Sequence, residues 1–202
     1  MAENTNKQPV AQYYDNGQLK SEGYFVDGKL EGISKAYSED GKLLAEYNFK
    51  NDLLDGVSKE YYLNGVVYAE TEYHNDKKNG SCRIFYESGA LRAEMSFNDD
   101  LTDGAYREYY EDKTLKMECQ YSNGLLYGVA KMYYPSGVLQ QENVFYQGER
   151  NGTCKEYFEN GRLMMQCEFS NGKRNGIFSA YDENGNLLET SEYINDEKKP
   201  QI

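Results

Sequence analysis

The sequence predicts an all-β fold, an elongated, twisted single-sheet solenoid of about eight 24-residue β-hairpin repeats. Three observations predict it. Glycine, aromatic and aliphatic residues recur at a fixed spacing of 24. All periods but one hold Asn-Gly, Asp-Gly or Ser-Gly between two strand-like runs. The composition, with 21 Tyr, 8 Phe, 19 Gly and 3 Pro, favours strands and tight turns, because Gly and aromatic residues sit poorly in helix interiors.

The glycines set the ruler. One series runs Gly17, Gly41, Gly65, Gly89, Gly137, Gly161 and Gly185, with Lys113 in the missing place. A second runs Gly32, Gly56, Gly80, Gly104, Gly128, Gly152 and Gly176, and Gly28, Gly124, Gly148 and Gly172 share a third phase. The aromatics follow: Tyr13, Tyr37, Tyr61, Phe85, Tyr109, Tyr133, Tyr157 and Tyr181 form one column. Phe25, Phe49, Tyr73, Phe97, Tyr121, Phe145, Phe169 and Tyr193 form another, and Leu19, Leu43 and Val67 begin an aliphatic one. The array spans 13–195, with 1–12 read as an N-terminal tail and 196–202 as a C-terminal tail.

The first glycine series marks the hairpin turns. Asp40-Gly41 reads as a two-residue type I′ turn, which needs positive φ at both central residues. Asp112-Lys113 departs from this pattern, so strain or a longer loop is expected there. With Asp40-Gly41 as the turn, cross-strand partners place Lys35 opposite Glu46. Equivalent positions pair Lys59 with Glu70, Arg83 with Glu94, Arg107 with Glu118 and Lys131 with Glu142. Where a charge is lost the row stays polar: Lys155 faces Gln166 and Ser179 faces Thr190. Such pairs contribute ~0.2–1 kcal/mol each, so their main effect is on register. The same register sets Gly32 opposite Phe49. If the link from Lys50 to Asp55 continues the meander, Gly56 flanks that ring on its other side. One unit alone buries too little to fold, so stability must come from stacking along the row.

Alternation puts Ser34, Ala36, Leu43, Ala45 and Phe49 on one face, and Lys35, Tyr37 and Glu46 on the other. A looser aromatic column, Tyr62, Tyr86, Tyr110, Tyr134 and Phe158, is the candidate partner-binding set, with packing beside leucine as its plainer reading.

The net charge of -12 disfavours nucleic acid and anionic membrane lipid, and favours a basic protein partner. The aromatic content argues for a folded chain despite that charge. No apolar run is long enough to span a bilayer as a helix, and MAENTNKQPV carries no secretory signal. A cytoplasmic location is therefore expected, or an exported or surface one if a signal has been removed. His74, the single histidine, falls in a loop between hairpins, and with no catalytic constellation the chain is read as a non-enzyme without cofactor or metal. Acidic pairs such as Asp99-Asp100 read as solvated turns. Asn79-Gly80-Ser81 and Asn151-Gly152-Thr153 match glycosylation sequons, but the repeat accounts for them. Cys154 falls opposite Cys167, where a disulfide is geometrically possible, whereas Cys82 faces Met95 and Cys119 faces Tyr106. Exposed edge strands at both ends predict edge-to-edge self-association.

The pattern Tyr37-x3-Gly41-x-Leu43-x2-Glu46-x2-Phe49 followed by Asp55-Gly56 resembles the MORN repeat, most closely its bacterial variant. The resemblance runs over residues 13 to 196. It implies a repeated hairpin sheet with a binding or scaffolding role. Many bacterial members of the variant are designated antitoxins, so it further implies neutralisation of a toxin. A surface or envelope scaffold is the alternative. MORN proteins elsewhere are tied to phospholipid, an attraction that needs basic clusters this chain lacks.

Overall fold

The computed structural model describes residues 6–200. Among them there is no helix, and every strand pairing is antiparallel. The chain divides into two units, Met1–Leu101 and Thr102–Ile202. In the first, the strands Lys7–Tyr13, Leu19–Val26, Gly32–Tyr37, Leu43–Lys50, Gly56–Tyr61, Val67–His74, Lys77–Phe85 and Leu91–Asn98 pair in sequence order, with short strands Lys29–Leu30 and Leu53–Leu54 at the bends. The second repeats the scheme with Gly104–Tyr109, Leu115–Ser122, Leu125–Tyr133, Leu139–Tyr146, Glu149–Tyr157, Leu163–Ser170, Gly176–Tyr181 and Leu187–Ile194. The all-β hairpin-repeat fold read from the sequence is the fold of the chain.

The array begins earlier than expected. Lys7–Tyr13, placed mostly in the N-terminal tail, is a strand that pairs with Leu19–Val26 and sets Val10 opposite Gly23. The reason is the Asn16-Gly17 turn: a hairpin whose second arm starts at Leu19 needs a first arm before Tyr13. At the other end, Glu197–Lys198 pairs with Tyr193 and Ile194. Residues 1–5 and 201–202 of the two predicted tails lie outside the described residues.

The expected register holds along the charged rows. Lys35, Lys59, Arg83, Arg107 and Lys131 face Glu46, Glu70, Glu94, Glu118 and Glu142; Lys155 faces Gln166 and Ser179 faces Thr190. Lys35–Glu46 closes as an ion pair at 3.3 Å, Lys59–Glu70 at 3.0 Å and Lys131–Glu142 at 3.9 Å. All are solvent-accessible, so their individual contribution is small and they act on register.

The turns are different from the expectation. At Asp40-Gly41 the Ser38 N–H donates to the Lys42 carbonyl at 2.8 Å, and the Gly41 N–H donates to the Ser38 carbonyl at 2.9 Å. Only Gly41 has positive φ, at 80°. This is a three-residue type I turn closed by a left-handed residue in a G1 bulge, so Asp40 needs no unusual conformation. The bulge shifts pairing by one residue and sets Tyr37 opposite Leu43, two residues that strict alternation puts on different faces. Lys113 takes the glycine role in a loop of unchanged length, with φ 73°; the strain is present and the longer loop is not.

The type I′ turns sit at the opposite ends of the strands. Asn51-Asp52, Asn75-Asp76 and Asp99-Asp100 in the first unit, and Asn195-Asp196 in the second, have positive φ at both residues. So do Asp27-Gly28, Asn123-Gly124, Gln147-Gly148 and Asn171-Gly172. Asn, Asp and Gly tolerate this conformation best.

The second glycine series forms irregularities in the ladder. Gly32 does pair with Phe49, but on its other side Phe49 pairs with Leu54, not Gly56. What crowds Gly56 is the Asn48 amide, 2.7 Å from where a Cβ would sit. Glu72 crowds Gly80 in the same way, Val144 crowds Gly152 at 3.1 Å, and Glu168 crowds Gly176. A side chain of the neighbouring strand occupies the space, so glycine is required by close approach and by φ values of 107–138°.

Each unit buries one face. Ala45, Ser58, Ala69, Cys82 and Ala93 are buried in the first, and Cys119, Ala130, Asn143, Cys154 and Cys167 in the second. No second layer is available to cover them, so the aromatics alternating with them along the same face must do so. Burial raises the phenols of Tyr47, Tyr73 and Tyr121, which belong to that face.

Candidate functional site

The predicted partner-binding column is tied into the fold. Tyr62, Tyr86, Tyr110, Tyr134 and Phe158 are all half-buried. Their hydroxyls reach forward one repeat. Tyr62 donates to the Phe85 carbonyl, Tyr110 to that of Tyr133, and Tyr134 to that of Tyr157, each at 2.8 Å. Tyr14 does the same to Tyr37 at 2.7 Å. Phe158 keeps the ring and drops the donor. These contacts give the column a part in joining successive hairpins.

The Tyr37 column reaches backward instead. Tyr37 donates to Glu22 at 2.7 Å, Tyr61 to Glu46 at 2.8 Å and Tyr133 to Glu118 at 2.8 Å. Burial, followed by the hydrogen bond to the carboxylate, pushes all three phenols up to about 12. In return the Tyr61 hydroxyl, with Lys35 and Lys59 nearby, holds the Glu46 carboxyl below the ordinary carboxylate range.

The residues screened for chemistry also have local structural partners. His74 ends the strand Val67–His74 and is exposed, with Nδ1 2.9 Å from Asp55. Asp100 accepts from the Lys78 N–H at 2.8 Å, and Asp99 faces Lys77 at 3.3 Å. Cys154 and Cys167 are direct cross-strand partners and both are free thiols, as are Cys82 and Cys119. The hydrogen bond to Cys167 and burial raise the Cys154 thiol, and burial lifts Cys119 to about 11. Among the described residues no three His, Cys, Asp or Glu side chains converge as a metal site, and no helix is long and apolar enough to cross a membrane.

The surface features that sequence reasoning missed lie on the face carrying the Lys–Glu row. In the first unit Ile33 and Val57 are about half exposed, opposite Asn48 and Glu72. In the second, Val129 and Ile177 are similarly exposed, opposite Val144 and Glu192. A shallow hollow of about 510 Å³ on this face of the first unit is lined by Val10, Tyr24, Ile33, Lys35 and Glu46. In the second unit a hollow of about 250 Å³ is lined by Leu125, Tyr127 and Tyr146. The signal was available as Ile33, Val57 and Val129 two positions before Lys35, Lys59 and Lys131, and Ile177 two before Ser179, where a solvated face predicts polar residues.

A sheet of identical hairpins with one buried face and one charged face studded with aliphatics defines a repeat module that offers a surface, not a pocket. The family comparison agrees in detail. The model for the MORN repeat variant matches eight consecutive segments, 10–27, 30–51, 54–75, 78–99, 102–123, 126–147, 150–171 and 174–195. The chain belongs to the MORN repeat variant family. No curated protein matches it. Among solved structures, the TcdB2-TccC3-Cdc42 crystal structure is 14% identical over 92% of this chain and 13% of that one, with a TM-score of 0.23. The Photorhabdus luminescens Tc holotoxin pore carrying TccC3-D651A is 14% identical over 93% and 13%, with a TM-score of 0.19. The chain thus spans about an eighth of these proteins, and superpositions this poor carry no argument.

Proposed function

We propose that the chain is a non-catalytic protein-binding module whose charged face receives a basic protein partner, which it neutralises or scaffolds. The observation that carries this reading is the set of half-exposed aliphatic residues beside carboxylates: Val57 opposite Glu72 and Ile177 opposite Glu192. Aliphatic surface flanked by acids suits a partner that brings apolar anchors framed by lysine or arginine, and a net charge of -12 speeds its capture. Four buried free thiols suit a reducing, cytoplasmic setting.

The test compares the tagged chain with a variant carrying Val57→Lys and Ile177→Lys as bait in an extract of the source cells. The expected result is a basic protein held by the parent, released by raised ionic strength and lost from the variant. Retention of nothing, or of the same acidic proteins by both baits, would overturn the reading. Once the partner is in hand, loss of its activity on adding the chain supports neutralisation, and unchanged activity supports scaffolding.

A further inference from the structure

Three positions that are polar in each of the four preceding repeats become apolar together in the sixth. Tyr127 occupies the place of Glu31, Asp55, Asn79, Asp103, Asn151 and Asn175. Tyr146 stands where other repeats have Lys50, His74, Asn98, Ser122 and Ser170, with Val26 in the first and Ile194 in the last. Val144 stands where they have Asn48, Glu72, Ser96, Gln120, Glu168 and Glu192, with Tyr24 in the first. Pairing gathers these side chains on the charged face. Val129 is opposite Val144, and the rings of Tyr127 and Tyr146 lie 5.8 Å apart, tilted by 51°. Leu125, Tyr127, Val129 and Tyr146 are exposed to 49, 51, 44 and 51%, well beyond what the fold needs.

Carboxylates frame this patch. Glu149 is the direct partner of Tyr146. On the other flank the Asp103 carboxylate accepts from the Asn123 N–H at 3.3 Å, and Asn123 lines the hollow between Leu125 and the two tyrosines. Exposed tyrosine and aliphatic side chains inside an acidic rim make an anchor site of the kind that dominates protein interfaces.

We infer that Leu125, Tyr127, Val129, Val144 and Tyr146 form the docking hot spot for a protein segment with an apolar anchor flanked by lysine or arginine. This rests on the binding-module reading and deepens it. A second copy of the chain is a poor occupant, because it brings the same excess of negative charge to an acidic rim.

The test places a photo-cross-linking benzoylphenylalanine at Tyr146 of the full chain in source cells, with the same residue at Ser81, exposed on the charged face of the first unit, as control. The expected result is an adduct with a basic protein from position 146, with the yield cut about tenfold by adding Val129→Lys. An equal adduct from position 81, insensitive to Val129→Lys, would leave the binding module standing and overturn this patch. Adducts with a second copy or an acidic protein would overturn the basic occupant. No protein adduct from either position would overturn both readings.

Discussion

Asp76 and Leu54, 22 residues apart, hold each other twice: the Leu54 N–H donates to Asp76 Oδ1 at 2.7 Å, and the Asp76 N–H donates to the Leu54 carbonyl at 2.9 Å. Asp52 holds Leu30, Asp100 holds Lys78 and Asp196 holds Arg174 in the same two ways. Where glycine replaces the aspartate, as at Gly124, Gly148 and Gly172, the backbone half of the clasp remains.

Asp76→Ala removes the charged acceptor and leaves an alanine at φ 67°. The two losses together are expected to cost about 2 kcal/mol. Asp76→Asn, which keeps an acceptor and tolerates the conformation, is expected to cost well under half of that. Urea unfolding midpoints of the two variants check the order; equal losses would show that the side chain, not the backbone geometry, decides.

Lys113 sits at φ 73° in a loop whose siblings carry glycine. Lys113→Gly relieves a left-handed strain of about 1 kcal/mol. It is expected to raise the melting temperature by about 2–4 °C for a chain of this size. Calorimetry measures it, and a lowered melting temperature would mean that the lysine makes a compensating contact.

The Tyr–Glu contacts limit stability at both ends of the pH scale. Tyr37, Tyr61 and Tyr133 are raised to about 12 from an ordinary 10. The unfolded chain therefore deprotonates first, and stability falls as pH rises from about 10 to 12. Glu46 is lowered, chiefly by the Tyr61 hydroxyl, so its contribution is present above the ordinary glutamate range and is lost as pH falls through the folded value. Tyr61→Phe is expected to weaken the chain at neutral pH and to flatten both limits. Denaturant midpoints at acid, neutral and alkaline pH would show this as a smaller pH dependence than the parent has.

The four thiols are buried; burial raises Cys119, and the hydrogen bond between Cys154 and Cys167 raises Cys154, with burial second, while that bond lowers Cys167. Since burial denies a reagent access to all four sulfurs, the native chain is expected to resist alkylation near neutral pH and to take up four labels once denatured. Mass spectrometry without reductant reads the number directly. Two labels short would mean that Cys154 and Cys167 are joined.

The period and register were fully legible, because five oppositely charged rows and the glycine spacing agree on one pairing. Turn chemistry was less so. Asp40-Gly41 and Asn123-Gly124 look alike as dipeptides, yet one closes a type I turn with a bulge and the other a type I′ turn. The difference lies in loop length, set by Tyr37 pairing with Leu43 in one case and Ser122 with Leu125 in the other. The contact made by Tyr62 was hidden for a related reason. Its hydroxyl acts on a carbonyl 23 residues away, a contact that depends on how one hairpin leans on the next and leaves no trace in local alternation. The sixth-repeat patch was legible in principle, since Tyr127 and Val144 break polar columns, but only a column-by-column search for exceptions exposes it.

The clasp between Leu54 and Asp76 also bears on how such a chain can change length. Each bond joins equivalent places in adjoining copies, so a splice that excises or duplicates 24 residues in phase delivers every donor to an acceptor of the same kind. Recombination between copies of the gene segment can then lengthen or shorten the protein without inventing a new joint.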